Sequence, residues 1–343
     1  MLNFLITTLN TSKIFFLLKI VFVGILFPFI ISGISYIYMI MDFNYFRKEK
    51  KYISKHILIF GGSSGLGEAL VLRLSNQEVH LSIASRTESK LKETQIKCLK
   101  INKKSTCDYY IVDIRKENQI KNCIEKSIEK WGFPNLIINC AGIAHPGFID
   151  DIPIEIYTKD MNLNYFGNLK LLKEIINQYK IKKDLIKEDE IDIVCVGSCL
   201  GIIGSIGYTT YCPTKYALKG LLDSLRFELL GTKLNLHYYG PSNMKTPGLI
   251  EENKNKPKIV SDVENNAKNI SADEAAHILL ANLDKYMITS EPDLELLKTS
   301  TFFMNKHSWL DLLLLPIASL GIIFVRKSIE KNIVKNRNNF KLY

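Results

Sequence analysis

The chain is predicted to fold as an α/β protein with a doubly wound, mostly parallel sheet of six or seven strands. Three observations predict this class. Short apolar runs alternate with longer amphipathic stretches through the middle of the chain. A glycine-rich turn follows the first apolar run, and a tyrosine and a lysine stand four residues apart much further on. The 343 residues are enough for one large domain or two smaller ones.

The apolar runs that we expect to form strands are short and bounded by polar or turn residues. Six of them follow one another along the chain: 56–60, 79–84, 108–112, 135–139, 191–197 and 234–239. A seventh strand near 292–298 is poorly marked. Helices are expected to fill the gaps, because parallel strands need crossover connections. The charged stretch 179–190 is interpreted as a solvated loop, and the Asn/Lys-rich stretch 251–270 as a loop or lid.

Residues 1–52 are predicted to form an N-terminal membrane anchor, a transmembrane helix followed by a basic linker. The stretch 20–41 carries no charge, and at ~1.5 Å per residue it can cross a hydrocarbon core of ~30 Å. A cleaved signal peptide is the alternative, but bulky residues end the stretch where small ones normally precede cleavage. Five basic residues crowd its C-terminal flank: Arg47, Lys48, Lys50, Lys51 and Lys55. By the positive-inside rule, we expect the following domain in the cytosol.

Residues 301–343 are predicted to form a C-terminal apolar membrane-associated segment with a basic tail. The stretch 312–325 is uncharged, but its fourteen residues are too few to span a bilayer comfortably. A re-entrant or interfacial segment would keep both flanks in the cytosol, whereas a buried helix of the folded domain is the alternative. The folded domain itself is predicted to occupy 53–300.

Charge and cysteine content narrow the functional classes. The formal net charge of +10 is concentrated in flanking segments rather than in one basic and aromatic stripe. This distribution favours an anionic membrane surface over nucleic acid as a partner. The seven cysteines form no paired C-x-x-C clusters, and no second histidine at ligand spacing accompanies His145, which we interpret as a loop or substrate-wall residue. We therefore expect reduced cysteines and no metal site.

Glycines stand where the first strand gives way to a helix. Gly61, Gly65 and Gly67, with Ser63 and Ser64 between them, form this turn. Backbone amides there can approach a pyrophosphate at the positive end of the helix, as in a Rossmann dinucleotide site. Alone, the same glycines are compatible with an ordinary turn that needs positive φ. The prediction of a dinucleotide therefore depends on the other motifs.

Basic residues stand at the end of the second strand, where an acid would hold the ribose hydroxyls of NAD. Ser85 is followed by Arg86, and Lys90 lies one helical turn further on. The two cations suit a 2′-phosphate, which favours NADPH over NADH, unless they are merely solvated residues at a helix start. Asp113 is placed to reach the adenine amine, and Asn139 closes the fourth strand beside the nicotinamide ribose.

Tyr211 and Lys215 form the pattern that indicates carbonyl chemistry. Residues four apart on a helix share a face, so the ammonium can favour the phenolate and lower a pKa that is ordinarily ~10. Ser198, thirteen residues upstream of Tyr211, can donate a hydrogen bond to a substrate oxygen. Pro213 falls between the pair, so we expect the helix to begin close to Tyr211 or to kink there.

Together, these motifs resemble those of the short-chain dehydrogenase/reductase family over roughly 53–300. The resemblance rests on five stretches in order: 61–67, 139–142, 162–167, Ser198 and 211–215. It implies an NADP-dependent oxidoreductase in which Tyr211 is the general acid and Lys215 also holds the nicotinamide ribose. It further implies that Ser198 binds the substrate oxygen, that Asn164 anchors a water behind Lys215, and that the chain is a homo-oligomer. The chain departs from the pattern at Gly197, where serine is frequent.

Within that family, the run 246–257 resembles the branch that reduces long-chain 3-keto bases. This resemblance implies reduction of 3-ketosphinganine to sphinganine with NADPH, in sphingolipid biosynthesis. It places the enzyme in the endoplasmic reticulum membrane with the catalytic domain facing the cytosol, and with a lipid substrate and the membrane as partners. Two alternatives stay open. One is another membrane-anchored reductase, acting on a 3-ketoacyl thioester, a retinoid or a steroid, and the other is a non-enzymatic NADP-binding scaffold.

Overall fold

A computed structural model of the protein describes residues 11–27, 30, 47–186, 190–264, 269–291, 294 and 327. The chain divides into two compact units. The first comprises 1–43 and 299–332, and its described part contains helix α1, Thr11–Val21, which continues as a π-helical turn, Phe22–Leu26. Apolar side chains of α1 are largely exposed, with Phe15, Phe16 and Leu18 between 59% and 69% accessible.

The membrane segments predicted from the sequence fall largely outside this description. Most of 20–41 and all of 312–325 lie outside the described residues. Among the helices that the structure does describe, none combines the length and the apolar character needed to cross a bilayer.

The second unit, 44–298 with 333–343, is a parallel α/β fold in its described part. Seven parallel strands form the main sheet in the order β3-β2-β1-β4-β5-β6-β9. They are β1 His56–Phe60, β2 His80–Ser85, β3 Thr106–Ile111, β4 Leu136–Asn139, β5 Ile191–Val196, β6 Leu234–Gly240 and β9 Met287–Thr289. Two short strands, β7 Met244–Lys245 and β8 Ile270–Ser271, pair with each other.

Helices connect the strands and cover both faces of the sheet. They are α2 Gly65–Ser75, α3 Glu88–Ile101, α4 Glu117–Trp131, α5 Ile154–Met161, α6 Gly167–Lys182, α7 Cys212–Glu228, α8 Pro247–Asn253, α9 Lys258–Glu264 and α10 Ala272–Ala281. A π-helical turn, Asn162–Phe166, joins α5 to α6, and 3₁₀ turns follow at Lys183–Leu185 and Cys199–Gly201.

The central strand β1 is buried on both sides, which is why its sequence is a continuous apolar run rather than an alternating one. Ile57 and Ile59 join one hydrophobic core with residues of α2 and α10. Leu58 and Phe60 join a second core with residues of α4 and α6. The two cores are the two helical layers of a doubly wound sheet.

The strand order places a crevice between the carboxyl ends of β1 and β4. Strand β1 pairs with β2 on one side and with β4 on the other, so successive crossovers leave in opposite directions from this point. Phe60, the last residue of β1, stands beside Ala84 and Asn139. Such a switch point is where open α/β sheets bind their ligands.

The predicted parallel sheet and its first six strands are confirmed, with boundaries that differ by up to two residues. The seventh strand of the described sheet is β9, Met287–Thr289, whereas most of the predicted 292–298 lies outside the described residues. Met287 and Ile288 are buried and pair with Tyr238 and Tyr239 of β6. Three paired residues are too short a run for the sequence pattern to identify.

Two stretches that we interpreted as loops contain helix. The stretch 251–270 includes the end of α8 and all of α9. Thr246 caps α8 by accepting a 3.2 Å hydrogen bond from the Leu249 amide, which stabilises the start of that helix. The stretch 179–190 begins with the last turn of α6, where Tyr179 is buried, and Ile186 is buried beyond it. Both stretches therefore form more regular and more buried structure than their polar composition predicts.

Candidate active site

A cleft with a volume of about 750 Å³ opens at the carboxyl edge of the sheet. All but two of the site residues predicted from the sequence line it: Gly61, Ser63, Ser64, Gly65, Gly67, Arg86, Lys90, Asp113, Ser198, Tyr211 and Lys215. The two exceptions, Asn139 and Asn164, are buried. The parallel fold thus brings residues far apart in sequence into one crevice.

The turn between β1 and α2 is packed so closely that side chains do not fit. Gly61 has a φ of +76°, and a Cβ atom there would lie 2.8 Å from the Ala141 nitrogen. At Gly67, a Cβ would lie 2.0 Å from the Gly61 carbonyl oxygen. Ser64 is the N-cap residue of α2 but makes no side-chain capping bond. Amides of the first helical turn are therefore available to an anion, and the turn fits the phosphates of a dinucleotide.

Two cations line the cleft just after β2. Arg86 and Lys90 are both on its wall. The acid nearest to them in sequence, Glu88, is engaged by Lys92 at 2.8 Å. The charge on this part of the wall is therefore positive, as the sequence predicts, and suits a phosphate better than a pair of ribose hydroxyls.

Asp113 lines the cleft beyond β3 and is held by a neighbour that the sequence analysis did not identify. Arg115 places Nη2 2.5 Å from Asp113 Oδ2 and Nε 2.9 Å from Oδ1. These bonds to the guanidinium lower the pKa of Asp113 to about 2. The carboxylate is ionised and fixed in place, and its contact with an adenine amine stays a prediction.

Tyr211, Lys215 and Ser198 converge on the cleft. Tyr211 is the N-cap residue of α7, and Pro213 lies in the first turn, where its missing amide hydrogen is not needed. The helix therefore begins close to Tyr211, at Cys212, as predicted. Lys215 Nζ lies 5.4 Å from the centroid of the Tyr211 ring and donates a 3.1 Å hydrogen bond to the Val196 carbonyl. Ser198 follows the end of β5 and caps the 3₁₀ turn Cys199–Gly201, where its side chain accepts a 3.1 Å hydrogen bond from the Leu200 amide.

Burial dominates the electrostatics of this pair. It lowers the pKa of Lys215 to about 8. It also raises the pKa of Tyr211 well above its ordinary value, and the charge of Glu252 raises it further, whereas the neighbouring Ser198 side chain lowers it. The net shift is therefore opposite to the expected one, because the lost solvation of the phenolate is the largest influence on this pKa.

Asn164 lies behind the wall of the cleft, in the π-helical turn before α6. Its amide nitrogen donates to the Ile143 carbonyl at 2.8 Å and to Thr214 Oγ1 at 3.0 Å, and its oxygen accepts from the Ile143 amide at 2.9 Å. Thr214 is the neighbour of Lys215 in α7. Asn164 therefore ties the loop after β4 to the helix that carries the tyrosine and lysine, and its predicted water stays a prediction.

Asn139 stabilises the loop that follows β4 from a buried position. Its side chain donates to Asn168 Oδ1 at 2.8 Å and accepts from the Ala141 amide at 3.1 Å. The residue is almost fully buried. Asn139 itself shapes the loop 140–142, whereas Cys140, Ala141 and Gly142 line the cleft. The position of this segment beside a nicotinamide ribose stays a prediction.

Tyr238 supports Ser198 from the neighbouring strand, and the sequence analysis missed it. Its hydroxyl donates to the Ser198 carbonyl at 2.7 Å and accepts from the Ser198 amide at 3.1 Å. Gly197 and Gly201 make room for the ring, since a Cβ at either would lie 2.1 Å from a Tyr238 atom. The departure from the family pattern at Gly197 thus follows from the tyrosine on β6.

The wall beyond Tyr211 carries further polar side chains whose hydrogen-bond partners were not predicted from the sequence. Tyr208 and Glu252 both line the cleft and are hydrogen-bonded to each other, although 44 residues separate them. His145 lines the cleft as well, as its interpretation as a wall residue requires, and its Nδ1 lies 2.6 Å from Asp160 Oδ1. No spacing rule links these partners, because each pair is formed by packing between separate segments.

Comparison with solved structures shows the same fold. Actinorhodin polyketide ketoreductase with NADPH matches at a TM-score of 0.62 with 17% identity, covering 70% of this chain and 97% of its own. Xylitol dehydrogenase bound to NAD⁺ matches at a TM-score of 0.61 with 17% identity, covering 70% of this chain and 98% of its own. At such identities the likeness concerns the fold alone.

Comparison of sequences identifies the family. The family model for short chain dehydrogenases matches residues 55–257. A 3-ketodihydrosphingosine reductase of Dictyostelium discoideum is 32% identical over 311 residues, covering 84% of this chain and 91% of that protein. A 3-dehydrosphinganine reductase of Danio rerio is 30% identical over 240 residues, covering 68% of this chain and 70% of that protein. With the Tyr211, Lys215 and Ser198 geometry, these matches lead to one conclusion: the chain belongs to the short-chain dehydrogenase family and is an oxidoreductase.

Proposed function

We propose that this protein reduces the ketone of 3-ketosphinganine to the alcohol of sphinganine in sphingolipid biosynthesis, with NADPH as reductant. The observation that carries the proposal is the convergence of Ser198, Tyr211 and Lys215 beside the glycine turn. The names of the similar proteins supply the substrate, since relatives from an amoeba and a fish are both reductases of this lipid base.

The side chains of the cleft can divide the work of ketone reduction. When bound, the nicotinamide supplies a hydride to the carbonyl carbon. Ser198 donates a hydrogen bond to the carbonyl oxygen, which stabilises the negative charge that develops there. Tyr211 transfers its phenolic proton to that oxygen, so that hydride and proton together complete the alcohol. Lys215 stabilises the resulting phenolate and offers hydrogen bonds to ribose hydroxyls.

The preference for NADPH rests on Arg86 and Lys90. Both line the cleft, and their charges favour a 2′-phosphate. We expect Arg86→Ala to lower the ratio of kcat/KM for NADPH to that for NADH by roughly 10- to 100-fold, because a charge-assisted hydrogen bond contributes about 1.5–3 kcal/mol. Lys104→Ala is the matched control, since Lys104 is 74% exposed, pairs with Glu78 at 3.4 Å and does not line the cleft. A wild-type preference for NADH would refute this part of the proposal.

The site also suits a substrate that arrives from a membrane. Ile149, Ile154 and Ile250 are 68–71% exposed, and each lies within one or two residues of the cleft wall. We propose that the enzyme acts at the endoplasmic reticulum membrane with its catalytic domain, 53–300, in the cytosol. The exposed apolar side chains of α1 support an anchor within 1–52. The membrane association of 301–343 and the homo-oligomer stay predictions.

A substrate comparison in detergent micelles tests the function. NADPH oxidation is followed with 3-ketosphinganine and, separately, with a 3-ketoacyl-CoA. We expect a clear preference for 3-ketosphinganine and conversion to sphinganine in amounts that match the NADPH consumed. A preference for the thioester would assign the site to another lipid ketone. NADPH binding with no turnover of any long-chain ketone would favour a non-catalytic scaffold.

A further inference from the structure

Four side chains form a compact polar group where α8 and α9 meet the cleft. This group, the Glu252 cluster, consists of Tyr208, Glu252, Lys256 and Glu264. The Tyr208 hydroxyl contacts both Glu252 and Glu264, the latter at 2.6 Å. Lys256 Nζ lies 3.1 Å from Glu252 and 2.6 Å from Glu264, and its side chain is only 1% exposed.

The Glu252 cluster contains more negative than positive charge. Its two carboxylates are matched by the single ammonium of Lys256. The Tyr208 hydroxyl has one hydrogen, so it can donate to only one of the two carboxylates that contact it. Both carboxylate side chains are only 18% exposed. Glu264 also accepts a 3.3 Å hydrogen bond from Asn243, so the cluster is short of positive charge rather than of hydrogen-bond donors. A second cation at this position would stabilise the two poorly solvated carboxylates.

Glu252 is the carboxylate of the cluster that faces the cleft. It lines the cavity together with Tyr208, whereas Lys256 and Glu264 do not. The Tyr208 ring centroid lies 6.1 Å from that of Tyr211. After burial, the charge of Glu252 is the largest influence raising the pKa of Tyr211. The carboxylate therefore lies within electrostatic reach of the group that protonates the substrate oxygen.

We propose that Glu252 is a specificity-determining residue that binds a protonated amine on the carbon next to the ketone. The inference rests on the proposed function and deepens it, because 3-ketosphinganine carries an amino group at that position. When Tyr211 contacts the carbonyl oxygen, the ammonium is only two bonds from the carbonyl carbon and lies on the same wall as Glu252. The ion pair neutralises the excess charge of the cluster. It also removes the carboxylate influence that disfavours the Tyr211 phenolate.

The test compares two ketones that differ only in the amine. They are 3-ketosphinganine and the same long-chain 1-hydroxy-3-ketone without the 2-amino group, both in detergent micelles with saturating NADPH. The wild type is expected to prefer the amino ketone at least tenfold in kcat/KM. Glu252→Gln is expected to lower kcat/KM for the amino ketone roughly 10- to 100-fold, mainly through KM, and to change it less than about threefold for the ketone without the amine.

Glu251→Gln and Glu78→Gln are the comparison variants. Because Glu251 also lines the cleft, it reports whether the neighbouring carboxylate shares the role. Glu78→Gln is the control outside the cleft: its side chain is 44% exposed and pairs with Lys104 at 3.4 Å, so this variant should keep the wild-type preference. NADPH affinity and thermal unfolding of each variant report any loss of folding. If Glu252→Gln does not fold, the wild type alone still tests the inference. Equal wild-type kcat/KM values for the two ketones would overturn it.

The outcomes also separate this inference from the function on which it rests. Loss of activity toward both ketones in a folded Glu252→Gln, or an unchanged preference for the amine, overturns the role of Glu252 and leaves the reductase function intact. A wild type that fails to reduce 3-ketosphinganine at all overturns both. A wild type that prefers the amine and loses the preference only in Glu252→Gln supports both.

Discussion

The two ends of the cleft are built from different parts of the polypeptide. At the cofactor end, the turn 61–67 presents backbone, and three of its glycines occupy positions where a side chain would be strained or would collide. At the substrate end, the Glu252 cluster presents side chains from segments 44 and 56 residues apart. The first end depends on local conformation and space, and the second on long-range packing and charge. Substitutions at the cofactor end should therefore disturb the backbone of the turn, whereas substitutions at the substrate end should change charge and side-chain packing.

Between the two ends lie the groups that react with the substrate, and Tyr211→Phe tests them with the largest expected effect. Removal of the phenolic proton should lower kcat by about 100- to 10,000-fold, the usual contribution of a general acid. The NADPH dissociation constant should change only a few-fold, because the glycine turn is untouched. Turnover and fluorescence titration of NADPH measure the two effects. A variant with near-normal kcat would remove Tyr211 from the mechanism.

Gly67→Ala tests the cofactor end. The added Cβ would lie 2.0 Å from the Gly61 oxygen, so the backbone of the turn must move. We expect about 100-fold weaker NADPH binding, and a free energy of unfolding lowered by about 1–3 kcal/mol, as in other overpacked sites. Titration and chemical denaturation measure these changes.

The control for Gly67→Ala is another helical glycine. Gly220→Ala lies within α7, where a new Cβ meets no atom within 4 Å. It should leave NADPH binding unchanged and stabilise the protein by about 0.5–1 kcal/mol through helix propensity. Equal loss of NADPH binding in both variants would contradict the close packing of the turn.

The pH dependence of kcat/KM for NADPH tests Lys215, which lies between the two ends. Its pKa is lowered to about 8 from 10.5, so the free enzyme loses this ammonium as pH rises through about 8. We expect kcat/KM for NADPH to fall above about pH 8, approaching tenfold per unit. The stability effect has the opposite sign. Between about pH 8 and 10.5 the unfolded chain binds more protons at this residue, so Lys215 makes the free energy of unfolding rise with pH.

This difference in sign distinguishes titration of the site from alkaline unfolding. Chemical denaturation at pH 8 and 9, beside the kinetic profile, provides the comparison. Activity that falls while the free energy of unfolding holds or rises supports Lys215 as the titrating group. A parallel fall of both quantities would attribute the activity loss to unfolding instead.

The smallest effect is expected for Tyr238→Phe, which tests support of the catalytic groups from behind. The variant loses both hydrogen bonds to the backbone of Ser198. We expect kcat to fall about three- to tenfold with NADPH affinity unchanged, since Tyr238 acts by positioning Ser198. Tyr239→Phe is the control, because its hydroxyl bonds to Ala275 at 2.9 Å instead. Similar kcat losses in both variants would indicate general destabilisation of β6.

The contrast between local conformation and long-range packing explains which residues of the site could be predicted from the sequence. The glycine turn and the pair Tyr211 and Lys215 are local patterns, and the structure brings them to one cleft as expected. Asn139 and Asn164 were predicted with them, yet their amides are used by the loops behind the cleft. Arg115 is two residues from Asp113, and Lys256 is four from Glu252, but neither spacing was used as a signal. Tyr238 and the contacts of Tyr208 with Glu252 and Glu264 had no local signal at all. Their importance comes from which neighbour each side chain meets after folding.

The amino-acid sequence by itself determined the alternation of strands and helices, the close turn after β1 and the start of α7 next to Tyr211. These features depend on apolar periodicity, glycine geometry and a proline, all of which act within a few residues. Only the tertiary structure decided that burial raises the pKa of Tyr211, that Tyr238 needs Gly197, and that Glu252 faces the cleft. Desolvation and contact between distant segments exist only once the chain has packed.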